Sequence, residues 1–243
     1  MAPPGIGDRV EGTHAVAAAL EAGRVRRLLV ERGRVEAVSA ILDEAERRGI
    51  AVDVVEDVRA SSITDAPQGV VAECRPIPSV SIEIAVEAGD PPALVILDHV
   101  EDPRNVGAIA RSAVAAGITA LVVAGRRAAP LGATAFKAAA GALEQLAIVE
   151  VSSIANAVAD LERLGVWVVA LDAGGDRSLF GLDLLAEPVA LLLGAEGGGV
   201  SRLARERADV VASIPLVGDI ESLNASVAAA LAMYEVARVR GRV

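Results

Sequence analysis

Four uninterrupted apolar runs constrain this chain more than any other feature: ALVILD (Ala93 to Asp98), TALVVAG (Thr119 to Gly125), VWVVALD (Val166 to Asp172) and VALLLG (Val189 to Gly194). Each is closed by a glycine or an acid. A strand with one wet face alternates polar and apolar residues, whereas a continuous apolar run is a strand buried on both faces. The runs therefore imply a largely parallel sheet covered by helices, with ligands expected at the carboxyl ends of the strands. Hydrophobic residues make up 53% of the 243 but aromatics only 2%. The core must be filled by Ala, Val, Leu and Ile, and a fold of sheets alone would want more aromatic side chains.

The region before these runs alternates differently. An Ala-rich helix from His14 to Ala22 is expected, then strand RRLLV (Arg26 to Val30), a helix from Val35 to Arg48, and strands AVDVV (Ala51 to Val55) and GVVAE (Gly69 to Glu73). RPIPSVSIEIAVEAGDPP, Arg75 to Pro92, carries four prolines and breaks the periodicity as a linker does. The expected division is a small α/β domain over 1–75, a linker over 76–92 and a larger domain over 93–243.

Several chemistries are excluded by inventory. The single cysteine, Cys74, and two histidines, His14 and His99, cannot build a structural zinc site, and no metal is expected. No G-x-S-x-G elbow exists, and the only lysine, Lys137, follows Phe136, so there is no Walker A loop. No uncharged apolar run reaches the roughly 18 residues of a membrane span. Met1 to Val10 lacks the basic end and apolar centre of a signal peptide, so a cytoplasmic protein is expected. Acids outnumber bases 33 to 23, a net charge of −10, which by itself argues against nucleic acid. All bases but Lys137 are arginine, however, and they cluster at Arg24, Arg26, Arg27, Arg32 and Arg34 and again at Arg238, Arg240 and Arg242. Arginine suits bidentate phosphate contact, although a charge cluster is more often a solvated face.

Three segments could carry chemistry. In LDHVEDPRNVGAIARSAVAAG (Leu97 to Gly117), Asn105 is a plausible N-cap for a helix with an apolar stripe of Val106, Ile109, Ala110, Ala113 and Val114. At 100° per residue Arg111 stands about 130° from the centre of that stripe and points away from the core. In LLLGAEGGGVSRLARERAD (Leu191 to Asp209), four glycines in six residues follow a buried strand and open the backbone to a close ligand. Glu196 within this loop disfavours phosphate and suits a cationic ligand. In IPLVGDIESLNASVAAALAMYEVAR (Ile214 to Arg238), Leu223, Val227, Ala230, Leu231 and Tyr234 read as the buried stripe of a long terminal helix, with Ser222 and Asn224 at its start. Alone, each segment is an ordinary capped helix or tight turn.

Together, DPRNVGAIAR, LGAEGGGVSRLAR and IPLVGDIESLNASVAAAL closely resemble the three motifs of the SpoU, or TrmH-type, RNA 2′-O-methyltransferases of the SPOUT superfamily, in that family's order. KAAAGALEQLAI (Lys137 to Ile148) also resembles the family, with Ala139 where serine is common, and the first domain resembles the L30e-like RNA-binding domain of its ribosomal RNA branch. Pro67, Gln68 and Gly69 stand where the family often has HQG, and Ala225 where valine is usual.

The resemblance implies an α/β SPOUT fold with a C-terminal trefoil knot, a homodimer formed through the catalytic domain, and S-adenosylmethionine as co-substrate without metal. It further implies methyl transfer to a ribose 2′-hydroxyl, with a guanosine of large-subunit (23S) ribosomal RNA ahead of transfer RNA. Carried over by position, Asn105, Arg111, Glu196, Ser222 and Asn224 would be catalytic. Gly194, Glu196, Gly198, Ile214, Leu223 and Ala225 would hold the cofactor, mainly through backbone, and Arg24, Arg26 and Arg27 would meet RNA. Two rival readings are a noncatalytic RNA-binding homologue, which the retention of Arg111, Glu196 and Asn224 disfavours, and a dinucleotide-dependent oxidoreductase, which lacks its glycine order.

Overall fold

The computed structural model describes residues 5–125, 131–195 and 197–243. Its N-terminal part holds β1 (Arg9–Glu11), α1 (Thr13–Glu21), β2 (Val25–Glu31), α2 (Ser39–Arg47), β3 (Ala51–Val55) and β4 (Val70–Cys74), with the strands ordered β1-β4-β2-β3. β4 runs antiparallel to both β1 and β2, while β2 and β3 are parallel. The helix expected from Val35 opens with a 3₁₀ turn over Glu36–Val38 and becomes regular α-helix at Ser39.

The larger part contains α3 (Ile82–Glu87), β5 (Ala93–Leu97), α4 (Pro103–Ala115), β6 (Ala120–Ala124), α5 (Ala133–Ala139), β7 (Ala147–Val151) and α6 (Ile154–Arg163). It continues with β8 (Trp167–Leu171), β9 (Arg177–Ser178), β10 (Val189–Leu193), α7 (Arg202–Arg207), β11 (Val210–Ser213) and α8 (Ala225–Val239). All pairings in its sheet, β7-β6-β5-β10-β8-β11-β9, are parallel. Every residue of β5 and β10 is buried, as their apolar runs require. Side chains alternate between the faces: Val95, Leu97 and Leu191 join the layer with α4, α5 and α8, and Leu94, Ile96 and Leu192 join the layer with α3 and α6.

The segment read as a linker holds a short helix that packs on the sheet. Ser81 caps α3, whose Ile82 and Ala85 are buried against the sheet, while Val80 N donates to Ile148 O and Glu150 N to Ser79 Oγ. Its four prolines had hidden a short helix. The two parts also share one apolar core, because Phe136 of α5 packs against Gly7, where an added Cβ would run into the ring. Gly7 holds φ at +61°, a conformation suited to glycine, and donates its N–H to Leu131 O.

Candidate active site

β5, β10 and β8 lie side by side, so the loops that leave their carboxyl ends start together. There a cavity of about 430 Å³ is walled by the chain after β8, the glycine loop after β10 and the segment after β11. Gly194, Gly198, Ile214, Ser222, Leu223 and Ala225 all line it, so these sequence-selected residues of the second and third motifs come together from two loops, while Asn224 stands outside the lining. Glu196 lies outside the described residues.

Backbone geometry explains the glycines. Ala195 and Gly199 exchange N–H···O bonds at 3.1 and 2.9 Å, closing the loop on itself. A Cβ on Gly194 would overlap the Gly199 backbone, and Gly199 itself sits at φ +62°. Gly198 differs: its nearest neighbour for a Cβ is Ala195 Cβ at 3.8 Å, so a side chain there would be tolerated by the protein.

Asn224 caps α8, its Oδ1 accepting the N–H groups of Ser226 at 2.9 Å and Val227 at 3.4 Å, while its Nδ2 donates to Asn105 Oδ1 at 3.3 Å. That bond joins the first motif to the third. Asn105 is not the cap of α4, as its position had indicated. Asp102 is, accepting Arg104 N at 2.8 Å with Pro103 in the first turn. Gly107 lets α4 press on α5, since a Cβ would sit 2.5 Å from Ala135 O. Arg111 is exposed on α4, as its angle predicts, and lines neither this cavity nor the smaller one of about 320 Å³ beside Asn105.

The described cavity walls carry two acids, Asp172 and Glu221, and no base; the remaining side chains are mostly aliphatic. Such a lining repels phosphate and accepts a flat apolar group together with positive charge. S-adenosylmethionine, an adenosine joined to a cationic sulfonium, has that chemistry, and the open glycine backbone admits its close approach. Asp172 was missed by motif reading although it ends an apolar strand, where ligands gather. Its Oδ1 accepts Gly174 N at 2.9 Å and lies 3.7 Å from Arg205. Among the described residues no cluster of three or more His, Cys, Asp or Glu side chains is placed for a metal, and no helix is long and apolar enough to cross a membrane.

The arginine group divides. Arg24 is buried and cannot meet RNA: its Nε donates to Glu144 Oε2 at 2.7 Å, its NH1 to Gly7 O at 3.0 Å, and it stacks 5.6 Å from the Phe136 centroid. It joins the two parts of the molecule instead. Arg26 and Arg27 are both exposed although consecutive in a strand, because a bulge between Val25 and Arg27 interrupts the alternation. Arg27 pairs with Asp53, which raises its already high pKa. Arg240 is likewise a clasp, donating to the carbonyls of Leu185, Pro91, Pro92 and Glu187.

The terminal helix reverses one expectation. Val227, Leu231 and Tyr234 are 48, 39 and 45% exposed, while Ala229, Ala232, Met233 and Val236 are buried. Small residues let α8 approach the sheet closely, so the bulkier stripe faces outward.

The SpoU rRNA Methylase family profile matches residues 92–234, and the profile described as RNA 2′-O ribose methyltransferase substrate binding matches residues 9–80. The 23S rRNA (guanosine-2′-O-)-methyltransferase RlmB of Xanthomonas campestris pv. campestris is 40% identical over 240 residues, 95% of this chain and 96% of its own. The SpoU methyltransferase AviRb from Streptomyces viridochromogenes superposes with a TM-score of 0.81 at 30% identity, covering 96% of this chain and 89% of its own. Its complex with the cofactor AdoMet gives a TM-score of 0.80 at 28% identity, covering 97 and 91%. A TrmH/SpoU tRNA modifying enzyme from A. aeolicus matches 61% of this chain and 75% of its own, with a TM-score of 0.55 at 27% identity. With a profile spanning more than half its length and a 40% identical relative spanning nearly all of it, the chain belongs to the SpoU rRNA methylase family.

Proposed function

We propose that this protein transfers the methyl group of S-adenosylmethionine to the ribose 2′-hydroxyl of a guanosine in large-subunit (23S) ribosomal RNA. The observation that carries the reading is the acid-lined, base-free cavity closed by the glycine loop and joined to the first motif through Asn105 and Asn224. Gly194, Gly198, Ile214, Leu223 and Ala225 would hold the cofactor through backbone and aliphatic contact. When bound, it supplies an electrophilic methyl on a cationic sulfur, chemistry that needs no metal. Asn105, Ser222 and Asn224 would orient the ribose. A guanidinium, with a pKa above about 12, is a poor proton acceptor, so Arg111 would stabilise the developing alkoxide and hold the neighbouring phosphate.

The N-terminal part would select the RNA, with Arg26 and Arg27 at its surface. The transfer RNA reading is weaker, since the tRNA-modifying enzyme matches 61% of the chain and the 23S rRNA relative 95%. The outward stripe of α8 supports a homodimer through the catalytic domain. By resemblance, the loops around the cavity would cross in a trefoil knot, and the enzyme would work in the cytoplasm with its RNA.

Mapping 2′-O-methyl groups in cellular RNA with and without the gene tests this directly. One guanosine of large-subunit ribosomal RNA should lose its methyl group; loss from a transfer RNA would move the substrate. Calorimetry should show S-adenosylmethionine binding in the presence of chelator, and no binding at millimolar cofactor would remove the reading.

A further inference from the structure

Asp172, in the wall of the larger cavity, belongs to none of the three motifs and stands directly after β8. Backbone contacts fix the turn that carries it. Asp172 N donates to Ala212 O and Gly175 N to Asp172 O, both at 3.0 Å, and a Cβ on Gly175 would meet the Ala212 and Ser213 backbone at 2.6 and 2.8 Å. The turn is thus pressed against β11.

The two carboxylate oxygens are used differently. Oδ1 accepts Gly174 N at 2.9 Å and lies 3.7 Å from Arg205. Oδ2 accepts no hydrogen bond from any described residue, and it faces the glycine loop, 3.3 Å from the spot a Cβ on Gly199 would occupy. Gly199 has no Cβ, so this spot is open, and both residues line the cavity. A carboxylate only accepts, so the group that fills the gap must be a donor.

Of the two acids in the described lining, Asp172 has Arg205 beside it, whereas Glu221 pairs with no base among the described residues. A ligand cation is therefore better met at Glu221, and Asp172 is left for a neutral donor. β8 and β10 are parallel neighbours, so an acid at the end of one strand faces a glycine loop at the end of the next. In dinucleotide-binding sheets that juxtaposition holds a ribose hydroxyl, because the bare loop lets the sugar come close enough for the acid to reach it.

We propose that Asp172 is a specificity-determining residue, its Oδ2 accepting a hydroxyl of the ribose within S-adenosylmethionine itself. The inference rests on the methyl-transfer reading above and deepens it. The site then selects a ribonucleoside methyl donor by its sugar.

Calorimetry with S-adenosylhomocysteine, which keeps the adenosine but carries a neutral sulfur, and with its 2′-deoxy and 3′-deoxy forms tests this. Wild type should bind at least one deoxy form about 10–100-fold more weakly than the parent, the range for a hydrogen bond to a charged group. Asp172→Ala should weaken the parent by a similar factor and bind that deoxy form within a factor of about two of the parent, since the hydroxyl no longer has a partner. Asp172→Asn can still offer Oδ1 to Gly174, so its melting temperature without ligand should match wild type. It should weaken S-adenosylmethionine and S-adenosylhomocysteine by the same factor. Equal binding of all three neutral-sulfur compounds by wild type, a deoxy penalty that survives in Asp172→Ala, or a loss in Asp172→Asn confined to the cationic S-adenosylmethionine would overturn the inference alone. Failure of wild type to bind either S-adenosylmethionine or S-adenosylhomocysteine would overturn it together with the reading it rests on.

Discussion

Arg111 has an exposed side chain on a helix whose opposite face is packed, so its removal should cost the fold little. Arg111→Ala should keep its melting temperature and S-adenosylmethionine affinity while kcat drops at least 100-fold, about 2.7 kcal/mol of transition-state stabilisation. Arg111→Lys should recover only a small part, because lysine keeps the charge but loses the planar fork. Glu11 has the opposite character. Burial works against its ionisation, yet its carboxylate accepts Ile63 N at 2.6 Å, Ser62 Oγ at 2.7 Å and Thr64 N at 3.0 Å, and these bonds hold its pKa below the ordinary 4.5. The unfolded chain then binds this proton more readily than the folded one. The contribution of Glu11 is complete above pH 4.5 and is lost as pH falls through the lower folded value. Glu11→Gln should therefore be less stable than wild type by about 1–3 kcal/mol at pH 7, and the gap in urea-unfolding free energy should narrow in acid.

At the scale of elements, the glycine loop separates two kinds of glycine. Gly194→Ala pushes a methyl into the Gly199 backbone and should destabilise the protein itself, lowering the melting temperature without ligand. Gly198→Val finds open space and should leave that temperature unchanged while weakening S-adenosylmethionine binding at least tenfold, about 1.4 kcal/mol by calorimetry. Helix α8 supplies a second contrast. Met233 and Val236 are committed to the core, but Leu231 and Tyr234 face outward. The proposed homodimer through this face predicts that Leu231→Glu with Tyr234→Glu sediments as a folded monomer where the wild type sediments as a dimer; a variant that remained dimeric would place the interface elsewhere.

For the whole molecule, the shared core and the Arg24–Glu144 pair make the two parts one body. Cutting the chain at Arg75 would expose Phe136 and strand Glu144, so point variants serve better than truncation. Arg24→Met leaves a buried carboxylate without its partner and should cost about 3–5 kcal/mol. Arg24→Met with Glu144→Leu should regain most of that, because no unpaired charge remains, and urea unfolding of the two single and one double variant measures the coupling. Net charge spoke against nucleic acid, yet Arg26 is exposed on β2 while Arg24 and Arg240 are spent on the protein's own carbonyls and acids. Composition could not separate these uses, since it counts charges without their partners.

The apolar runs at residues 93–98, 119–125, 166–172 and 189–194 determined the parallel sheet, because a strand buried on both faces must be apolar throughout and such a pattern is local. The outward direction of Arg111 and the cap at Asn224 were equally legible, being properties of helix geometry. Glycine spacing marked the loop after β10, because close backbone approach is a local requirement. Tertiary structure alone decided which face of α8 is buried, since two apolar stripes on one helix are indistinguishable until a partner chooses between them. It decided that Asp102 rather than Asn105 caps α4, two candidates three residues apart on one turn. It also buried Arg24 against Glu144, 120 residues away, and brought His99 and Ala195, from loops after different strands, to the wall of one cavity. Those outcomes depend on contacts between distant segments, which only the folded chain brings within reach of one another.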